Sequence, residues 1–235
     1  MASTVIKNWD NKTWLSSDDY IKSFNKFLTK KIKLNSESRI LDIGCGRGKV
    51  LGSLSSKLKL KKKPLGIDTI NHKDKDKRIN FKKINALKFF LKNKNKFDLI
   101  LIKQTIHLFN LNEVKRLLNL SRKNLNQNGK ILILSLDTNN NELPTFKLMR
   151  KKLTKSLKKD KKILKLITKL YLHKKSKFIF KVNINKNKYL KMIKARYIST
   201  LLPLTEHELH KGLNEINYKY KDNIKFRDKL ICLAI

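Results

Sequence analysis

Four of the chain's seven glycines crowd into residues 44–52, directly after a short apolar run that contains an acid. The stretch reads Ile40-Leu41-Asp42-Ile43-Gly44-Cys45-Gly46-Arg47-Gly48. A glycine-dense turn from strand to helix lets the backbone approach a ligand and points the helix's first N–H groups at it. The next apolar run, Leu65-Gly66-Ile67, ends in Asp68. A carboxylate at that strand end can accept hydrogen bonds from ribose hydroxyls, so the two features together predict a nucleoside-containing cofactor. The spacing Gly44-x-Gly46-x-Gly48 is not the Gly-x-Gly-x-x-Gly of dinucleotide sites. Asp42, two residues before the first glycine, would repel a pyrophosphate and would suit a ligand carrying an ammonium and a sulfonium. S-adenosylmethionine has both. The plainer alternative is that Asp42 holds the turn and the glycines only pack.

The elements around these residues alternate. Ser16-Ser17-Asp18-Asp19 precedes apolar positions Tyr20, Ile21, Phe24, Phe27 and Leu28 at helical spacing. A strand over 39–43 leads into the glycine turn and a helix through Val50, Leu51, Leu54 and Leu58. Strands follow over 65–67, 79–84 and 97–102, with a short helix over 86–91 between the last two. A helix over 113–125, a turn at Asn128-Gly129 and a buried strand over 130–136 complete this half. Such alternation predicts an α/β, Rossmann-like, mostly parallel seven-stranded sheet with helices on both faces and an added helical cap. In the second half, 144–171 reads as a lysine-rich helix with Leu153, Leu157, Leu164, Ile167 and Tyr171 on one stripe. A strand over 177–184, helices over 186–197 and 205–220, and a last strand over 224–235 follow. Thr205 with Glu208 three residues on marks a capping box. No linker divides the chain. The expected arrangement is one domain: an N-terminal lid helix (1–34), a cofactor-binding core (35–140), a helical cap and substrate-side segment (141–220) and a closing strand (221–235).

The motif over 40–48 resembles the first motif of class I S-adenosylmethionine-dependent methyltransferases. The resemblance implies that Gly44, Cys45, Gly46 and Gly48 lie under the methionine moiety and that Asp68 binds the ribose. It puts Asn85-Ala86 where the family usually has Asp-Ala, the side chain reaching the adenine amino group; an Asn carbonyl still accepts that bond, without charge. It also matches Phe97-Asp98-Leu99-Ile100 to the fourth-strand motif, with Lys103, Gln104 and His107 at the edge where cofactor and methyl acceptor meet. The segments 192–199 and 204–209 are more loosely similar to small-molecule enzymes of the trans-aconitate methyltransferase group. Those enzymes carry a cap between the fifth and sixth strands and use an N-terminal lid, here Trp9 to Tyr20.

For the acceptor, His107 is the candidate general base, since imidazole titrates near working pH. Arg196 is one of eight arginines against 49 lysines, and its planar fork would fit a carboxylate. The expectation is a small, anionic acceptor; an RNA acceptor held by the lysines is the alternative. Trp9 and Trp14 would close over the site, or simply anchor the first helix.

Composition limits what else the chain can be. Its 57 Lys+Arg against 18 Asp+Glu give a formal charge of +39, which would draw any polyanion. Yet lysines run through every segment, and Asn and Ile are also abundant, at 24 each. AT-rich codons produce that trio without selection for binding. Two cysteines exclude a disulfide framework and a Cys-type zinc site. No His cluster has metal-ligand spacing, no apolar run is long enough to cross a membrane, and no secretory leader is evident. A cytoplasmic protein is the expectation; oligomeric state is not encoded in any of these features.

Overall fold

The structure, a computed structural model, describes residues 13–235. Trp9 and the start of the expected lid lie outside them. Seven strands form one sheet: β1 (Ile40–Ile43), β2 (Leu65–Asp68), β3 (Asn80–Lys83), β4 (Phe97–Lys103), β5 (Leu125–Leu136), β6 (Lys174–Asn185) and β7 (Asn223–Ala234). Their spatial order is β3-β2-β1-β4-β5-β7-β6. Pairings from β3 to β5 are parallel, and only β7 runs against its neighbours, β5 and β6. The expected α/β sheet of mostly parallel strands is therefore present. β1 and β4, adjacent in the sheet but far apart in sequence, mark the point where the strand order reverses. A crevice at the carboxyl ends of the strands is the usual ligand edge there.

The helices are α1 (Asp18–Lys31), α2 (Lys49–Leu58), α3 (Ala86–Lys92), α4 (Leu111–Lys123), α5 (Lys147–Leu170), α6 (Lys186–Lys194) and α7 (Glu206–Lys219). Local chemistry starts most of them. Ser17 caps α1 by accepting from Tyr20 N–H, and two capping boxes, Asn110/Glu113 and Thr205/Glu208, open α4 and α7. The first of these boxes went unread in the sequence. Apolar residues fill both faces of the sheet. One cluster joins Tyr20, Phe24 and Leu28 to Leu99, Leu101, Leu132 and Leu134; the other joins Leu41, Ile43, Ile100 and Ile133 to Val114, Leu117 and Ile167.

Two expectations need correction. First, α1 is not a lid: Tyr20, Phe24 and Leu28 are fully buried, and the Tyr20 and Phe24 rings pack on β6, Tyr20 on Phe178 and Phe180 and Phe24 on Phe178. The strand expected over 177–184 is present as β6, the sheet's edge strand. Second, Asn128-Gly129 is not a turn. β5 runs through it, and a Cβ on Gly129 would lie 2.7 Å from the Phe97 carbonyl oxygen. The register shifts between Phe97 and Leu99 at that close approach, so glycine serves a bulge there.

Candidate active site

A cavity of about 510 Å³ lies at the carboxyl ends of β1, β2, β4 and β5. Its floor includes Gly44, Asp68, Asn85, Ala86, Lys103 and Gln104, and its walls include Trp14, His107, Asp160, Tyr197, Thr200 and Asp228. Eight candidate site residues from the sequence thus meet: Trp14, Gly44, Asp68, Asn85, Ala86, Lys103, Gln104 and His107. Asp42, Cys45, Gly46, Gly48 and Arg196 do not line it.

The glycine turn is built from positive φ angles at Gly44, Gly46 and Gly48 (73°, 54° and 72°), a region other residues rarely adopt. At Gly44 a Cβ would also strike Thr105 Oγ1 at 2.2 Å. At Gly46 the added atom would meet no protein atom within 4 Å. That space lies beside bare backbone next to Gly44, and Gly46 itself is not among the residues lining the cavity. Asp68 ties the turn to β2: Oδ2 accepts from Gly46 N–H at 2.9 Å and Oδ1 from Ile70 N–H at 2.9 Å. Each oxygen keeps lone-pair capacity for a further donor.

Asp42 is buried beneath the turn, and desolvation pushes its carboxyl up to about 7, against the pull of Lys103. It does not point its charge into the cavity as the motif reading required. Cys45 packs on β2, its sulfur 2.7 Å from where a Gly66 Cβ would stand. Burial and the charges of Asp42 and Asp68 push its thiol far up, so it is not a nucleophile. Asn85 spends its side-chain carbonyl as the cap of α3, accepting from Leu87 and Lys88 N–H. That oxygen is not available to an adenine amino group in the manner expected.

Lys103 extends over the rings of Tyr20 and Phe24, 5.2 and 5.3 Å from their centroids. Its charge acts on both Asp42 and Asp228, lowering each carboxyl against the larger upward push of burial. Asp228 accepts from Trp14 Nε1 at 3.2 Å, and Trp14 packs edge-on against Tyr197 and Phe226. Trp14 is thus both an anchor and a cavity wall. Gln104 holds φ at +51°, an uncommon conformation at the strand end facing the cavity.

On the acceptor side, His107 sits in the 3-10 turn Ile106–Leu108, and its carbonyl accepts from the Lys159 ammonium at 3.0 Å. Burial, then the Lys159 charge, lowers its imidazole to about 4. It is neutral at working pH and a weaker base than the sequence suggested. Arg196 is committed elsewhere: Nη1 donates to the Leu201 carbonyl at 2.6 Å and Nη2 to Glu206 at 2.7 Å. It joins α6 to α7 and offers no fork to the cavity.

Sequence reasoning missed Asp160, Thr200 and Asp228. Asp160 carried a readable signal: helical spacing along Leu153, Leu157, Leu164 and Ile167 demands an apolar residue at 160, and an acid stands there. Thr200 and Asp228 have no such mark, since only the tertiary fold brings them to the cavity.

The residues present fit S-adenosylmethionine: a positive-φ glycine turn that enters the cavity at Gly44, a carboxylate at the end of β2, and a cavity of ligand size. Among the described residues no group of His, Cys, Asp and Glu is arranged to hold a metal ion. No described helix is long and apolar enough to cross a membrane.

Comparison with known proteins agrees with this reading. Residues 34–196 match the family described as methyltransferase domain. No curated protein sequence is similar to the chain. A putative methyltransferase from an antibiotic biosynthesis pathway of Anabaena variabilis is similar in structure, with a TM-score of 0.59 at 15% identity over 89% of this chain and 95% of that one. A SAM-dependent methyltransferase from Thiobacillus denitrificans, solved with S-adenosyl-L-homocysteine, gives 0.53 at 15% identity over 90% of each chain. The plantazolicin methyltransferase BpumL, solved with a pentazolic desmethylPZN analog and SAH, gives 0.52 at 19% identity over 97% of this chain and 88% of that one. These likenesses concern the fold.

Proposed function

Because the chain belongs to the methyltransferase domain family, and is as such a SAM-dependent methyltransferase, we propose that it methylates a small organic molecule enclosed between the glycine turn and α5. The observation that carries this is that Gly44 and Asp68 line the same cavity as Asp160. When bound, S-adenosylmethionine supplies a methyl group on an electrophilic sulfonium, so the protein's task is to orient and enclose. In this reading Gly44 gives close backbone approach and Asp68 accepts from the ribose hydroxyls. Trp14, Leu143 and Leu153 supply apolar wall that excludes water. His107, neutral in this setting, is placed to accept a hydrogen bond or a proton from the acceptor.

Loose likeness to the trans-aconitate methyltransferase group supports the small-molecule part of the proposal. The carboxylate part has no support left. It rested on Arg196, which is tied to Leu201 and Glu206, and four carboxylates against one lysine line the cavity. An RNA acceptor gains nothing from the structure either, because the lysines are spread over α1 to α7 rather than gathered at the cavity mouth.

The test is calorimetric titration of S-adenosylmethionine into wild-type protein and Asp68→Ala. Affinity falls by more than about tenfold in the variant, the worth of a charged hydrogen-bond acceptor. Unchanged affinity removes Asp68 from the cofactor site.

A further inference from the structure

The stretch Arg150–Lys177 holds 13 Lys and Arg and one acid, Asp160. On an exposed lysine-rich face that acid would be an ordinary ion-pair partner. Instead it lies on the opposite face of α5, where Leu153, Ser156 and Asp160 follow one another at helical spacing along the cavity wall. Asp160 is only 5% exposed, and its Oδ1 has no hydrogen-bond partner among the described residues. Its neighbour in sequence, Lys159, directs its ammonium to the His107 carbonyl. A second buried polar atom shares this condition: Thr200 Oγ1, in a residue 8% exposed, also lines the cavity and also lacks a partner. It belongs to the 3-10 turn Ser199–Leu201, which packs on α5.

Burying a carboxylate without a counter-charge is costly, and folds tolerate it chiefly where a ligand completes the pair. The remaining charges decide what that ligand is. Asp68, Glu113, Asp160 and Asp228 line the cavity with Lys103 as the one ammonium, and Lys103 acts on Asp42 and Asp228. Among the described residues of the wall nothing cationic is left to pair with Asp160, and the Lys159 charge acts on it only from the next position along the chain. A carboxylate ligand would be repelled by this wall, and a neutral alcohol would leave the charge unpaired. A protonated amine satisfies Asp160 by a charge-assisted hydrogen bond, and Thr200 Oγ1 can accept a further N–H.

We propose that Asp160, assisted by Thr200, is the acceptor-binding carboxylate of this enzyme and that the acceptor is a small molecule bearing an amine nitrogen. The inference rests on the methyltransferase reading, because the cofactor's occupation of the Asp68 side leaves the Asp160 side for the acceptor. It concerns recognition: the amine that Asp160 holds need not be the atom that is methylated.

The experiment uses SAH-loaded full-length protein and matched probe pairs: short primary amines from ethylamine to phenethylamine, each against the carboxylate of equal length, at about pH 8 where carboxylates are ionised and these amines protonated. Calorimetry is expected to show at least one amine binding more than about tenfold tighter than its matched carboxylate. Asp160→Asn should abolish that preference, leave SAH affinity unchanged, and raise the melting temperature of the ligand-free protein, since an unpaired buried charge is removed. Thr200→Val should weaken the same amine by a smaller factor. The inference is overturned if no amine outbinds its carboxylate, if Asp160→Asn keeps the preference, or if that variant melts lower, which would make Asp160 a structural partner. Wild-type protein that fails to bind SAH would strike the methyltransferase reading itself, and the inference would fall with it; SAH binding without amine preference overturns the inference alone.

Discussion

The two walls of the cavity are made in different ways. The cofactor wall comes from the loops after β1, β2 and β4, and it rests on backbone: Gly44 in a turn of three positive-φ glycines, and Asp68, whose carboxylate holds the Gly46 N–H. The acceptor wall comes from α5, the turn Ser199–Leu201 and β7, and it is side chains: Asp160, Thr200 and Asp228, drawn from 69 positions of sequence (160 to 228, inclusive). A wall of backbone serves a ligand that does not change, and a wall of side chains can be respecified by single substitutions. The first wall tolerates almost no replacement; the second should trade affinity and specificity gradually.

The largest effect that would sharpen this contrast is at Gly44. Gly44→Ala forces a Cβ into Thr105 at a positive φ, and should lower stability by about 2–4 kcal/mol in chemical denaturation. Gly46→Ala meets the same φ penalty but no protein atom, so it should cost only about 1 kcal/mol while lowering SAH affinity by more than about tenfold. Equal stability losses at the two positions would break the distinction between a turn closed by protein and a turn left open for a ligand.

This contrast also explains what the sequence could reveal. β1, the glycine turn, α2 and β2 ending in Asp68 follow one another along one stretch of chain, so their spacing carries their geometry. Asn85 was found by position but misjudged in role, because its side chain is consumed by the helix it starts. Arg196 stood out by rarity, yet rarity says nothing of direction; its partners, Leu201 and Glu206, are five and ten residues on and explain it locally. α1 read correctly as a helix, but its fully buried face could not be distinguished from a lid without knowing that β6 covers it. Asp228 comes from a strand whose alternation looked ordinary, and only insertion of β7 between β5 and β6 brings it beside Trp14.

A smaller effect concerns pH. Burial raises the Asp160 carboxyl to about 6, with the Lys159 charge pulling the other way. Its folded-state value thus exceeds the unfolded one, so its contribution to stability is present below about pH 4 and is lost as pH rises through about 6. Amine binding should run oppositely, strengthening as Asp160 ionises over that interval. A melting-temperature profile of wild type against Asp160→Asn checks the sign: the difference between them should widen from about pH 4 to 7. His107 should add no inflection near its ordinary value, because its imidazole is lowered to about 4. A turnover profile that breaks near pH 6.5 and loses the break in His107→Ala would restore it as a general base.

The smallest effect is expected at Arg196. Arg196→Ala removes a link between α6 and α7 and should cost about 1–2 kcal/mol of stability, with the acceptor KM unchanged. A raised KM for an anionic acceptor, at unchanged stability, would return the clamp role to it.

The central claim is that the open glycine turn with Asp68 holds a sulfonium cofactor rather than a dinucleotide. Parallel calorimetric titrations of S-adenosylmethionine and NADH into wild type and Gly46→Ala test it directly. The account predicts binding of S-adenosylmethionine alone, weakened by the added methyl group. Binding of NADH with indifference to S-adenosylmethionine would contradict it.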